Sequence, residues 1–196
     1  MPRIEPAEFA ALDLSSATLV KDFELHDVWR VALEGGADCT VQGLRGLISG
    51  TDPHSVGFAV RSLMALRLFL GRIFRLDGRA QEKPTSLLTA AVPADLAQRS
   101  QAPPGTPDGS FTLLYMLPRE AVYEILNATV HAVLVVAVTP SAGGHHFYWA
   151  TYIRPVGPIT TPYMGLIDPF RRSIVYPGLE SWLQRIWLDT VARAGG

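Results

Sequence analysis

Residues 111–156 read FTLLYMLPREAVYEILNATVHAVLVVAVTPSAGGHHFYWATYIRPV. Four segments of this stretch are rich in the β-branched and aromatic residues that strands prefer: Phe111–Leu117, Val122–Asn127, Val130–Thr139 and His146–Val156. The breaks between them are short, and such breaks can join only antiparallel neighbours because parallel strands need a long crossover. The stretch therefore predicts an antiparallel meander, around which the rest of the chain is interpreted.

The segment before the meander predicts one more strand and two helices. Lys21–Leu33 alternates like a strand, but its apolar residues fall on both parities, so the alternation does not identify the buried face. Asp38 is predicted to cap a short helix from Cys39 to Ile48, because its carboxylate can accept free amide protons of the first turn. A long apolar helix is expected at Ser55–Leu76, with apolar residues on more than one side.

Two further features accompany the long helix. Arg67 lies among its leucines, where an unpaired charge would cost several kcal/mol, so we predict a buried ion pair with Glu120 or Glu124. Residues Asp77–Gly109 are rich in proline and glycine, which predicts a long loop with a helical fragment at Pro93–Ser100. A loop of this length is often a cover over a binding site.

The end of the chain predicts two helices separated by a proline. Thr160 or Thr161 can cap a helix over Pro162–Val175, and Pro177 is expected to end it. A last amphipathic helix is predicted over Leu179–Val191.

Composition places these elements in one domain, residues 1–196, of the α+β class. The chain is 48% hydrophobic with a net charge of −1 and has no basic block, which argues against nucleic acid as a partner. Arginines interrupt its longest apolar stretch, so no membrane span is expected. A single cysteine and an N-terminus unlike a secretory signal predict a cytoplasmic protein.

Three stretches carry a resemblance to a known family: Tyr148–Val156, Tyr163–Pro177 and Leu63–Gly71. They resemble a bacterial family known only as a domain of unknown function, whose members look like helix-grip proteins of the START and polyketide-cyclase kind. The resemblance implies an antiparallel sheet wrapped around the C-terminal helix, with a ligand cavity between the two. No agreed activity and no cofactor come with it.

The expected ligand is a small, largely apolar molecule that carries a carbonyl group. An apolar body would be held by buried area, and a few polar side chains would fix its orientation. Adjacent strand residues face opposite sides, so Tyr148, Tyr152 and Arg154 share one face of their strand and Trp149 lies on the other. The predicted ligand-binding residues are Tyr148, Trp149, Tyr152, Arg154, Tyr163, Asp168 and Arg171.

Asp168 and Arg171 admit two interpretations. Arg171 and Arg172 follow Asp168 by three and four residues, so either can pair with it on a helix. An ion pair that fixes a bend at Pro169 is favoured over a clamp for an anionic substrate.

Other functions stay open at this point. A cyclase or dehydratase on the same scaffold needs an acid or base in the cavity, and the candidates are Glu124, His146, Tyr148, Tyr152 and Asp168. A homodimer would use Trp182 and Trp187 on the last helix. No metal site is expected, since the histidines show no ligand spacing, and the chain lacks the motifs that bind nucleotides or phosphate.

Overall fold

The computed structural model describes residues 3–36, 38–50, 88–109, 111–126, 130–158 and 160–194. The helices are α1 Pro6–Ala10, α2 Ala17–Val20, α3 Val41–Gly50, α4 Ala94–Arg99, α5 Thr160–Phe170 and α6 Tyr176–Ala194, with a π-helical turn at Arg171–Val175 and a 3-10 turn at Thr89–Ala91. The strands are β1 Glu24–Glu34, β2 Pro107–Asp108, β3 Phe111–Leu117, β4 Glu120–Leu126, β5 His131–Ser141 and β6 Gly144–Arg154. Within these ranges, no helix is both long enough and apolar enough to cross a membrane.

The strands form one antiparallel sheet in the order β1-β6-β5-β4-β3-β2. The predicted meander is confirmed as β3 to β6, and β1 confirms the strand expected at Lys21–Leu33. The α+β class is confirmed as well.

Both faces of the sheet are covered. The C-terminal face, defined here as the face under α3 and α6, buries a cluster that includes Trp29, Val31, Leu44, Val136, Phe147, Trp182, Leu183 and Trp187. The N-terminal face, under α1, α2 and α4, buries a second cluster that includes Phe9, Leu19, Phe23, Leu96, Val122, Val133 and Tyr148. Two covered faces explain why β5 reads as eight consecutive buried residues, His131–Val138, rather than an alternation.

The outer edge of β1 is closed by side chains and by the N-terminal segment. From α6, Gln184 Nε2 donates to the carbonyl of Ala32 at 3.2 Å, and Trp187 Nε1 donates to the carbonyl of Glu34 at 2.9 Å. At the other end of the strand, the Ile4 amide donates to a β1 carbonyl at 3.1 Å. These bonds occupy groups that would otherwise template pairing with another chain.

The C-terminal helices depart from the prediction at Pro177. Helical structure runs on from Thr160 to Ala194, and Pro177 lies one residue inside α6 instead of ending a helix. The π-helical turn immediately before Pro177 changes the hydrogen-bond pattern there, since the Tyr176 amide donates to the Arg171 carbonyl five residues back. Pro169, by contrast, does lie inside α5.

Two smaller predictions are also settled. The α3 cap is Thr40 and not Asp38, because Thr40 Oγ1 accepts the Gly43 amide at 3.0 Å. The helical fragment expected at Pro93–Ser100 is confirmed as α4.

Several predictions lie wholly or partly outside the described residues. These are the long apolar helix Ser55–Leu76, the Arg67 ion pair, and the first part of the loop Asp77–Gly109. The described part of that loop supplies β2 and packs against β3, where the Gly105 amide donates to Leu113 at 2.8 Å. The strand β2 lies at the sheet edge opposite β1.

Candidate functional site

A β-bulge in β1 places two successive polar side chains near the helices. Leu25 pairs with Tyr152 and Asp27 pairs with Thr151, so His26 is the extra residue of the bulge. In a regular strand, adjacent side chains point to opposite faces, whereas a bulge re-aims one of them. As a result, ligand atoms of His26 and Asp27 lie within 4.8 Å of one another.

A π-helical turn brings a second pair of polar side chains to the same place. Arg171 and Tyr176 are five residues apart, and in an α-helix they would lie about 140° apart around the axis. The i→i+5 hydrogen bonding of a π-helix brings such residues much closer to one face. Both contact Asp27: Arg171 Nη2 lies 3.3 Å from Asp27 Oδ2, and the Tyr176 hydroxyl donates to the same oxygen at 3.2 Å.

Arg171 is the centre of this polar cluster. Its Nη1 donates to Asp168 Oδ1 at 3.0 Å, and its Nη2 donates to Thr151 Oγ1 at 3.3 Å and to the Tyr176 hydroxyl. Burial alone would lower the pKa of Arg171, but Tyr176, Asp27 and Asp168 outweigh burial and raise it. The guanidinium is therefore a charged bridge between two carboxylates, and the ion pair expected between Asp168 and Arg171 is present.

Asp27 and Tyr176 form the buried side of the cluster. Asp27 is 2% exposed and Tyr176 is 3% exposed. Burial, reinforced by the Asp27 charge, raises the pKa of Tyr176, although Arg171 opposes the shift. The phenol stays protonated at neutral pH and acts as a hydrogen-bond donor.

His26, Asp168 and Arg172 form the more accessible side. His26 Nε2 lies 2.6 Å from Asp168 Oδ2, but this contact does not have hydrogen-bond geometry. The side chains of His26 and Asp168 are 23% and 16% exposed. Arg172 is 45% exposed, and its Nη2 lies 3.8 Å from Asp168 Oδ2.

The same atoms could in principle hold a metal ion. Ligand atoms of His26, Asp27 and Asp168 all lie within 4.8 Å of one another. However, the Arg171 guanidinium already faces both carboxylates and balances part of their charge. A metal cation would therefore bind less strongly there than at a pair of carboxylates with no positive charge beside them.

An apolar wall adjoins the polar cluster on the C-terminal face. It consists of Val130, Ala132 and Ile153, with Ile125 and Met164 packed against them. Met164 precedes Asp168 by four residues, so the two lie on one face of α5, a turn apart. Helix α5 buries few of its side chains, since Thr160 is its only buried residue among those described, and Leu166 is 52% exposed.

The predicted ligand-binding residues are divided between the two faces of the sheet. Asp168 and Arg171 lie in the polar cluster, half-buried Tyr163 lies on α5, and half-buried Trp149 packs on the C-terminal face. The remaining three, Tyr148, Tyr152 and Arg154, lie on the N-terminal face. The structure therefore does not bring all seven residues together, because a sheet separates the two groups.

The residues on the N-terminal face are packed into the core. Tyr148 is 4% exposed, and its ring centroid lies 6.1 Å from that of Phe9. Tyr152 packs against the same cluster, and burial raises its pKa. Arg154 stacks over Phe23 at 4.8 Å.

Arg154 also belongs to a buried chain of hydrogen bonds. Its Nη2 lies 2.7 Å from His131 Nδ1, and His131 Nε2 lies 2.6 Å from Glu124 Oε1. An arginine can only donate, so Nδ1 accepts, and His131 carries its proton on Nε2 and donates it to Glu124. Glu124 also accepts the Leu88 amide at 3.4 Å, so this candidate acid ties the chain together on the N-terminal face.

Two further residues named in the sequence analysis, Glu120 and His146, lie outside the polar cluster. Glu120, one of the two predicted partners of Arg67, accepts the amides of Ser15 and Ser16 at 2.9 Å each and the Tyr115 hydroxyl at 2.7 Å. Half-buried His146 pairs with Ala32 of β1 and with Thr139 of β5.

The last helix packs directly on the sheet. Trp182 and Trp187 are each 6% exposed within the cluster of the C-terminal face, so they are not available as the dimer face that was predicted. A depression of about 160 Å³ lies where α6 meets β1, lined by Ala32, Leu33, Glu34, Gln184, Trp187 and Leu188. It has no contact with the polar cluster and is small for a ligand site.

Sequence reasoning missed His26, Asp27, Thr151 and Tyr176 as members of the site. The imperfect alternation of Lys21–Leu33 was the one available signal, because a bulge shifts the parity of a strand at that point. Nothing in the sequence indicates the π-helical turn.

One comparison with known proteins finds a family. Residues 19–178 match the model of a family described as "Protein of unknown function (DUF2867)". No curated protein and no solved structure matches the chain.

Proposed function

We propose that this chain, which belongs to the DUF2867 family of proteins of unknown function, binds a small, largely apolar molecule that carries a carbonyl group. The site is the space between α5 and the apolar wall, next to the polar cluster. The observation that carries the proposal is the juxtaposition of three features: an apolar wall, a charged cluster at its end, and a covering helix that buries only Thr160 among its described residues.

Helix α5 is suited to admit a ligand. Its inward apolar contact is Met164 against the wall, while Tyr163 and Ile167 are half-buried and Leu166 is exposed. A helix that buries little apolar surface can open at small cost in free energy. A ligand would replace the Met164 contact with its own apolar surface and gain about 25 cal/mol for each Å² removed from water.

Arg172 is the side chain best placed to contact the carbonyl oxygen. The donors of Arg171 are committed to Asp168, Thr151 and Tyr176, whereas Arg172 is half-exposed at the same turn. A guanidinium donates a charge-assisted hydrogen bond to a carbonyl. The residues predicted from the sequence to bind the ligand include Arg171 but not Arg172, and the geometry favours Arg172.

A helix-grip-like arrangement is part of the proposal. An antiparallel sheet with α6 along one face is compatible with it, and in such folds ligands lie between sheet and helix. The proposed site lies at the α5 end of that interface, because α6 itself is packed on the sheet through Trp182, Leu183 and Trp187.

A matched pair of probes tests the proposal. 2-Octanone and 2-methyl-1-octene have the same shape, but only the first has a carbonyl oxygen. Saturation-transfer NMR should detect both, and the ketone should bind roughly tenfold more tightly, as expected for one charge-assisted hydrogen bond.

Variants locate the contact. Arg172→Met should abolish the preference for the ketone, while the matched change Arg185→Met on the exposed side of α6 should preserve it. Failure of both probes to bind, or an unchanged preference in Arg172→Met, would contradict the proposed function.

A further inference from the structure

Ligand binding by the apolar wall and Arg172 does not need the contact between His26 and Asp168. We infer that these two residues form an acid–base pair that removes a proton from the carbon next to the carbonyl group of the bound molecule. This inference rests on the proposed function, since it needs a carbonyl compound in that site. It adds a reaction, the interconversion of a ketone and its enolate.

Asp168 is fixed in the orientation that such a pair needs. Its Oδ1 is occupied by Arg171 at 3.0 Å, which leaves Oδ2 toward His26 Nε2 at 2.6 Å. A carboxylate that accepts from Nε2–H leaves the lone pair on Nδ1, so Nδ1 is the base. Catalytic hydrogen bonds are often poorly aligned without ligand and tighten in the complex, which accounts for the present geometry of this contact.

The pair lies within a larger set of charged neighbours. Asp168 contacts Arg171 and Arg172 as well as His26. Asp27, the residue after His26 on β1, contacts Arg171 and Tyr176. In the proposed step, the adjacent Asp168 carboxylate stabilises the imidazolium that forms when His26 takes the proton.

Arg171, Asp27 and Tyr176 are positioning residues in this scheme. Tyr176 and Arg171 both bind Asp27, and Arg171 in turn holds Asp168. The β-bulge supplies His26, and the π-helical turn begins at Arg171, which holds Asp168. Bulges and π-helical turns are frequent at functional sites.

The reaction step balances without any other reagent. The C–H bond next to the carbonyl breaks, and its proton passes to His26 Nδ1. The electron pair of that bond forms the carbon–carbon double bond, and the carbonyl π electrons move to oxygen, where Arg172 stabilises the negative charge. In the reverse direction, His26 returns a proton to carbon.

Hydrogen exchange measures this step directly. In D2O, the protein should catalyse replacement of the hydrogens next to the carbonyl of 2-octanone by deuterium, seen as loss of their 1H NMR signals. His26→Gln should lower the rate at saturating ketone by about a hundredfold or more, the usual contribution of a general base. His146→Gln, which changes a half-buried histidine elsewhere on the sheet, is the matched control and should exchange at the wild-type rate.

The role of Asp168 is separated from a merely structural one by comparing rate with affinity. Asp168→Asn should lower the exchange rate at saturation at least tenfold, while the ketone affinity from saturation transfer stays within threefold of wild type. Asp95→Asn, a change at a carboxylate whose side chain is 70% exposed, should alter neither quantity. Thermal melting of each variant checks that it is folded.

Each outcome has one meaning. Ketone binding without catalysed exchange would overturn the acid–base pair and leave the proposed function standing. Absence of binding would overturn both. Exchange that survives His26→Gln in a folded protein, or exchange that EDTA abolishes and a divalent metal restores, would also overturn this inference.

Discussion

Replacement of Arg171 by Met tests whether its guanidinium is what permits the Asp27 carboxylate to be buried. The Asp27 side chain is 1% exposed and that of Arg171 is 13% exposed, with 3.3 Å between Nη2 and Oδ2. Loss of one partner of a buried pair typically costs 3–5 kcal/mol, roughly, because the other charge is left uncompensated. Tyr176 still donates to Asp27 in the variant, so we expect about 3 kcal/mol, the lower end.

A double-mutant cycle isolates the pair. Asp27→Asn alone should cost about 1–2 kcal/mol, since Arg171 keeps Asp168 at 3.0 Å. Asp168 loses Arg171 in both the single and the double variant, but the double variant leaves no unpaired charge at position 27. Its loss should therefore be smaller than the sum of the single losses by about 2 kcal/mol.

Urea unfolding followed by tryptophan fluorescence gives these free energies of unfolding. Trp29 is a suitable reporter, because its ring lies 4.3 Å from that of Tyr176. Arg99→Met is the matched control, since Arg99 lies 3.9 Å from Asp95 with 62% of its side chain exposed and should cost under about 0.5 kcal/mol. Single losses that add to within about 0.5 kcal/mol would refute the coupling on which the cluster is argued.

Three further predictions concern the packing of the fold. Burial raises the pKa of Cys39 to about 11. At pH 8 about one thiol in a thousand is then ionised. Ellman's reagent should therefore react very slowly with the folded protein and react fully only in denaturant. Gly144 has φ 150°, and a Cβ there would overlap a backbone carbonyl oxygen of β1. Gly144→Ala should therefore lower the free energy of unfolding by about 3 kcal/mol. Gly143 has open space around it, so Gly143→Ala should change this free energy little in the same urea titration. Leu183 is 1% exposed and Leu188 is 51% exposed. Leu183→Ala should lower the free energy of unfolding by about 2–5 kcal/mol, and Leu188→Ala by under about 0.5 kcal/mol. Equal losses in the two variants would contradict the packing of α6.

The sheet was predictable because its signals are local. Strand β3 has the predicted bounds, and the connection at residues 118–119 joins two antiparallel neighbours as its length requires. Alternation along β6 also separated Tyr148 from Trp149 correctly. It could not say which face would hold a ligand, because both faces of the sheet are covered and both carry aromatic residues.

The site was less predictable because it depends on distant parts of the chain. His26 and Asp168 are brought into contact by tertiary structure, and although the sequence marked Asp168, nothing in it linked that residue to His26. The error at Pro177 has a related cause. Proline ends a helix when the regular i→i−4 hydrogen bonding would have to continue through it. Here a π-helical turn immediately precedes Pro177, and that turn has no sequence signature.

The coincidence of two backbone irregularities is the strongest argument that the polar cluster has a role beyond stability. A regular β1 would direct His26 and Asp27 to opposite faces, and a regular α-helix would separate Arg171 from Tyr176 by about 140°. Each irregularity disturbs regular hydrogen bonding, and a buried pair of charges is often no more stabilising than apolar residues of the same size. Packing alone therefore gives no reason for a bulge and a π-helical turn, far apart in sequence, to meet at one carboxylate. Departures from local rules are expected where function requires them, and here both lead to Asp27 and to the accessible pair of His26 and Asp168 beside it.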